Sequence, residues 1–213
     1  MPVFQKKNIS DIALLGVWEI TESPEMLRQQ IHLNEEEENL YNSFNNDTRR
    51  IHWLSYRVLL KELINEEEYS HIIYDKNGKP FLSYNSHHLS VSHSGKYSAV
   101  IVSKENQVGI DIEKIQPKIE KVISKFLTEK EIAQLGSESL IEKFCICWCA
   151  KEALYKLYGK RQLLFNENIR LLPFIFSERG SLSGEIVTKK FHRKFLLQFE
   201  KIDDYMLVYA DGL

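Results

Sequence analysis

Twice along the chain, a long helical pattern is preceded by shorter capped helices and followed by several strands. That order constrains the fold more than any single motif. A helix-then-strands grammar repeated once implies two layered α+β halves rather than a bundle or a barrel. The first long pattern is DTRRIHWLSYRVLLKELI (47–64), where Ile51, Leu54, Val58 and the 59–60 leucines recur at helical spacing. The second is SLIEKFCICWCAKEALYKLYGK (139–160), stopped by Gly159. Before the first lie the strand ALLGVWEI and helices opened by Ser23-Pro24 and by Asn34 ahead of four glutamates. Before the second lie the strand VGIDIE, a helix over 119–127 and a helix capped by Thr128 with Glu131 at the capping-box position. Strands follow each: HLSVSHS and KYSAVIVS in the first half; IRLLPFIF, GEIVT, KFLLQFE and YMLVYA in the second. We therefore expect an α+β chain of two similar, pseudo-symmetric halves, 1–103 and 104–213. Each is a small, mostly antiparallel sheet packed with its long helix. No sequence repeat, linker or low-complexity segment is visible between them.

Composition narrows the class. With 213 residues, 43% hydrophobic, the chain can bury a core of useful size. A net charge of −2 supplies no global basic field for nucleic acid. No apolar run reaches membrane-spanning length, and the N-terminus lacks the pattern of a signal peptide. The cysteines, Cys145, Cys147 and Cys149, are odd in number and clustered on one helix, which suits buried thiols in a reducing compartment. The expectation is a cytoplasmic monomer with no nucleic-acid or membrane partner.

Four short stretches carry chemistry. In QVGIDIEKI (107–115), alternation along a strand puts Asp111 and Glu113 on one face and Ile110 and Ile112 on the other. Two carboxylates on one face repel unless a cation joins them. With no lysine or arginine on that face, a divalent metal such as Mg²⁺ or Mn²⁺ suits the oxygen donors. The alternative is an exposed strand edge with Lys114 as counter-ion. In WCAKEALYK (148–156), Trp148, Glu152 and Lys156 lie four apart on one helix face, either as half-buried chemistry or as an ordinary surface pair. In VSHSGK (91–96), Ser92, His93 and Ser94 end a strand before a glycine turn and could hold phosphate. In NGKP (77–80), Lys79 sits on a rigid turn as a point charge for phosphate.

In this order, NGKP, SVSHSGKYSAV, VGIDIEKI, TEKE and WCAKEALYKLYGK together resemble the 4′-phosphopantetheinyl transferases of the monomeric, surfactin-synthetase-activating type. The resemblance spans roughly 77–160; RRIHWLSYR matches loosely and the last fifty residues match only in strand character. It implies transfer of the phosphopantetheine arm of coenzyme A to a serine of an acyl or peptidyl carrier protein, as a holo-[acyl-carrier-protein] synthase. Adenosine 3′,5′-bisphosphate would be released, and the coenzyme would lie in the cleft between the halves. It implies Asp111, Glu113 and Glu152 as Mg²⁺ ligands, with Glu152 or Glu113 as candidate base and Lys156 at the phosphates. Lys79, Ser92 and His93 become coenzyme contacts, with His93 near the 3′-phosphate beside Arg50, then Arg49 and Arg57. A carrier-docking face is expected in 118–130, where Ile123, Phe126 and Leu127 stand among four lysines; an ordinary amphipathic helix fits that segment equally. A binding protein without catalysis and a metal-dependent nucleotide hydrolase are the rival classes.

Overall fold

A computed structural model describes residues 3–64, 71–83, 87–160 and 163–212. The chain forms two compact units, Met1–Glu105 and Asn106–Leu213.

The N-terminal unit opens with a hairpin, β1 (Val3–Ser10) and β2 (Ala13–Glu19). Three helices follow: α1 (Pro24–Arg28), α2 (Glu35–Asn42) and α3 (Asp47–Leu63). Each start is fixed by a side chain that accepts an otherwise orphaned backbone N–H: Ser23 from Met26, Asn34 from Glu37 and Asn46 from Arg49. Then come β3 (Ile72–Tyr74), β4 (Pro80–Leu82), β5 (His88–Ser94) and β6 (Tyr97–Ser103). The sheet is antiparallel throughout, in the order β1-β2-β6-β5-β4-β3. Helix α3 lays Leu54, Val58 and Leu59 into the core of this unit. Its approach to β2 depends on Gly16, where a Cβ would come within 2.9 Å of Leu59 and Leu63 methyls.

The C-terminal unit follows a similar order, with one opening strand in place of the hairpin and a short helix added after the long one. It runs β7 (Val108–Lys114), a 3₁₀ helix (Pro117–Lys125), α4 (Glu129–Gln134), α5 (Leu140–Tyr158) and α6 (Phe165–Asn168). The strands β8 (Ile169–Leu171), β9 (Arg179–Thr188), β10 (Phe191–Ile202) and β11 (Tyr205–Asp211) complete it. Its antiparallel sheet has the order β7-β11-β10-β9-β8, so β7 is an edge strand. Helix α5 is buried at consecutive positions from Phe144 to Cys147, because the sheet packs on one side and the 3₁₀ segment on another. It ends at Gly159, whose φ of +66° is the left-handed conformation glycine adopts without cost. All three cysteines are free, buried thiols on this helix.

Several local expectations change. The helix expected over 119–127 is instead a 3₁₀ helix, Pro117–Lys125, with proline at its start and no side chain capping it. Phe126 and Leu127, expected on a docking face, are buried in the core, while Lys118, Lys121, Lys125 and Lys130 are exposed. The IRLLPFIF strand stops at Leu171. The first strand, VFQKKNIS, carries the lysines and polar residues typical of a sheet edge, which hide it from a hydrophobic pattern. No helix among the described residues is long and apolar enough to cross a membrane.

Candidate active site

The strand β7 presents residues 109, 111 and 113 to one side, and α5 packs on that side. The glycine at 109 makes this possible. A Cβ there would stand 1.9 Å from the Ala153 carbonyl oxygen and 2.9 Å from the Leu157 Cβ. The helix backbone thus rests directly on the strand, and the residues flanking that contact, Glu152 and Lys156, are delivered to Asp111.

The geometry there is specific. Asp111 is 4% exposed. The Lys156 Nζ donates to its Oδ1 at 2.7 Å and to the Ile110 carbonyl at 3.0 Å. Glu152 is half-buried, and its carboxyl is pushed up to about 7 by burial first and by the negative charge of Asp111 second. The Lys156 charge opposes that rise, and Glu113 adds to it. The three carboxylates therefore share one electrostatic neighbourhood, though they are remote in sequence. Lys114 pairs with Asp204 at 3.0 Å. The expectation that no cation faces the strand pair is corrected: α5 supplies one from 45 residues away. Among the described residues, no three His, Cys, Asp or Glu side chains are already arranged as a metal cage. The donor chemistry still fits Mg²⁺, since hard carboxylate oxygens crowd together and repel until a cation joins them.

Sequence reasoning missed the residue that holds α5 in place. Lys151 is fully buried, with Nζ on Glu131 at 2.8 Å, on the Phe165 carbonyl at 3.0 Å and on the Ile169 carbonyl at 2.8 Å. Glu131 also accepts from Thr128, closing the capping box, and from the Leu171 backbone. A signal was available: Cys147, Trp148, Leu154 and Tyr155 surround Lys151 at helical spacing, which leaves that lysine no polar face.

Apart from Lys156, the proposed coenzyme contacts belong to the N-terminal unit. Lys79 follows a turn organised by Asp75, which accepts from the backbone N–H groups of Asn77 and Lys79. Burial lowers the Lys79 ammonium to about 8, against the opposing pull of Asp75. Ser92 is buried and His93 exposed at the end of β5. The His52 ring, from α3, stacks on His93 with centroids 4.4 Å apart. Arg49 is exposed over the Phe44 ring, and Arg50 pairs with Asp47 at 3.1 Å. Arg57 departs from expectation. It is fully buried, stacked on Trp53 and ion-paired with Glu37 at 3.3 Å, so its charge is committed to the core of its unit.

Residues 107–210 match the sequence profile of the 4′-phosphopantetheinyl transferase superfamily. The chain is 32% identical over 117 residues to the 4′-phosphopantetheinyl transferase AcpT of Escherichia coli K12, across 52% of this chain and 59% of AcpT. It is 33% identical over 119 residues to the 4′-phosphopantetheinyl transferase gsp of Aneurinibacillus migulanus, across 50% of this chain and 49% of that protein. The matches thus span about half the length of these relatives.

Proposed function

We propose that the protein, whose residues 107–210 match the 4′-phosphopantetheinyl transferase superfamily profile, moves the phosphopantetheine arm of coenzyme A onto a carrier-protein serine. The observation that carries this reading is the meeting of Asp111 and Lys156 beside a Glu152 held near neutrality, all within the matched residues. In the proposed reaction the serine oxygen bonds to the phosphorus that bears the pantetheine arm. The bond from that phosphorus to adenosine 3′,5′-bisphosphate breaks. The serine proton passes to a carboxylate, for which Glu152 is our first assignment and Glu113 the second. Lys156 offsets the negative charge that grows on the departing phosphate. Asp111, Glu113 and Glu152 would hold Mg²⁺ or Mn²⁺, which when bound neutralises diphosphate charge. Lys79, Ser92, His93, Arg50 and Arg49 are our assignments for coenzyme contacts. We take the enzyme to act as a monomer in the cytoplasm.

Incubation with coenzyme A, Mg²⁺ and an apo acyl or peptidyl carrier protein tests this. The expected result is a carrier heavier by one phosphopantetheine arm, mapped to a serine. Coenzyme A cleavage without a carrier would instead indicate a hydrolase. Binding without turnover across a panel of carriers would indicate a non-catalytic protein.

A proton and a divalent cation compete for Glu152, which gives a prediction with a definite sign. As pH falls through about 7, Glu152 takes up a proton that the cation must displace. Mn²⁺ affinity, measured by titration calorimetry without substrate, should weaken by up to about tenfold per pH unit below that point. Glu152→Gln should flatten the dependence. The same slope in that variant would remove Glu152 from the ligand set.

A further inference from the structure

We infer that His52 is a positioning residue for the coenzyme's 3′-phosphate, acting through His93; this rests on the function proposed above. Two contacts join α3 to the end of β5. The rings of His52 and His93 lie 4.4 Å apart at 13°, nearly parallel. The His52 Nε2 sits 2.8 Å from the Gly95 carbonyl oxygen. A carbonyl only accepts, so that nitrogen carries its hydrogen and the ring is anchored by one edge. Its face is then held against His93.

The arrangement answers a problem of exposed imidazoles. A solvent-facing histidine samples several rotamers, and ordering it on a ligand costs binding free energy. Here the ring beneath His93 is tied to the very turn that follows it, where Gly95 takes a φ of +52°. His52 therefore fixes both the His93 ring and the backbone of the Ser94-Gly95 turn before any ligand arrives. Arg49 lies one helical turn before His52 on α3 and shares its face, adding a guanidinium to that side of the helix. A doubly anionic phosphate monoester suits such a group better than a neutral hydroxyl does.

The test compares coenzyme A with 3′-dephospho-coenzyme A in the wild type and in His52→Ala, His52→Phe, His93→Ala and the His52→Ala/His93→Ala double variant. In the wild type, KM should favour coenzyme A. His52→Ala should shrink that preference by about tenfold, mainly through KM for coenzyme A, with a much smaller change in kcat. His52→Phe keeps a ring face without the N–H and should retain part of the preference. The double variant should lose little more than His93→Ala alone, because both changes remove one interaction. Equal effects on the two substrates, or full additivity in the double variant, would overturn the inference while leaving the transferase reading intact. A wild type that modifies carriers equally well from both substrates would also overturn it. A wild type that shows no coenzyme A binding by calorimetry would defeat the transferase reading itself, and this inference with it. The melting temperature of His52→Phe separates loss of the fold from loss of the preference.

Discussion

Asp111→Ala should lower turnover by about a thousandfold or more, the scale of losing several kcal/mol of charge stabilisation at the phosphates. The carboxylate is nearly inaccessible, and it is the anionic partner of Lys156 at 2.7 Å. Its removal takes away a proposed metal ligand and the carboxylate partner of Lys156, whose ammonium keeps the Ile110 carbonyl and the nearby charge of Glu152. Some destabilisation should accompany the change, tempered because the Lys156 side chain is 27% exposed. Asp111→Asn separates the effects. The amide oxygen can still accept from Lys156, so melting temperature should stay close to wild type while turnover remains lost. Wild-type rates in either variant at ordinary Mg²⁺ would remove Asp111 from the catalytic machinery.

The second large effect is expected from a single methyl group. In Gly109→Ala the new carbon would meet the Ala153 carbonyl oxygen at 1.9 Å and its carbon at 2.8 Å. Those are backbone atoms of a helix, which cannot swing aside as a side chain can. Either β7 or α5 must move, at a cost of about 3 kcal/mol, the upper end for overpacking. Activity should fall further than folding does, since Glu152 and Lys156 flank the displaced carbonyl and a misplacement of about 1 Å can cost a hundredfold in rate. Gly16→Ala is the matched control. There the nearest atoms are methyls of Leu59 and Leu63, which can rotate. Calorimetric melting of the two variants, with activity per folded molecule, checks both claims. A Gly109→Ala protein as stable as wild type would show that the contact is softer than its geometry implies.

What the chain discloses before folding follows the range of the forces involved. Caps such as Ser23, Asn34 and Thr128 act within three residues, so these helix starts could be read directly. The common face of Asp111 and Glu113, and the one-turn spacing of Glu152 and Lys156, are also local geometry. That Lys156 belongs to Asp111 is not local, because it depends on how closely α5 approaches Gly109. The pairing of His52 with His93 likewise needs the placement of α3 near the turn after β5. Phe126 and Leu127 looked like a docking face because lysines surround them in sequence, yet their side chains turn into the core while the lysines stay in water. Arg57 misled in the same manner, since no pattern along α3 reveals Glu37 waiting to neutralise it.

Lys151 has a mechanical consequence. An ammonium group has three hydrogens, and here three fixed acceptors on α4, α6 and the start of β8 take them. A helix riveted at that point can neither roll about its axis nor slide along it without stripping a buried charge of its partners. Glu152 is the next residue, so its azimuth is set by the same rivet. Whatever adjusts when substrate arrives, α5 should behave as the rigid beam against which that adjustment is made.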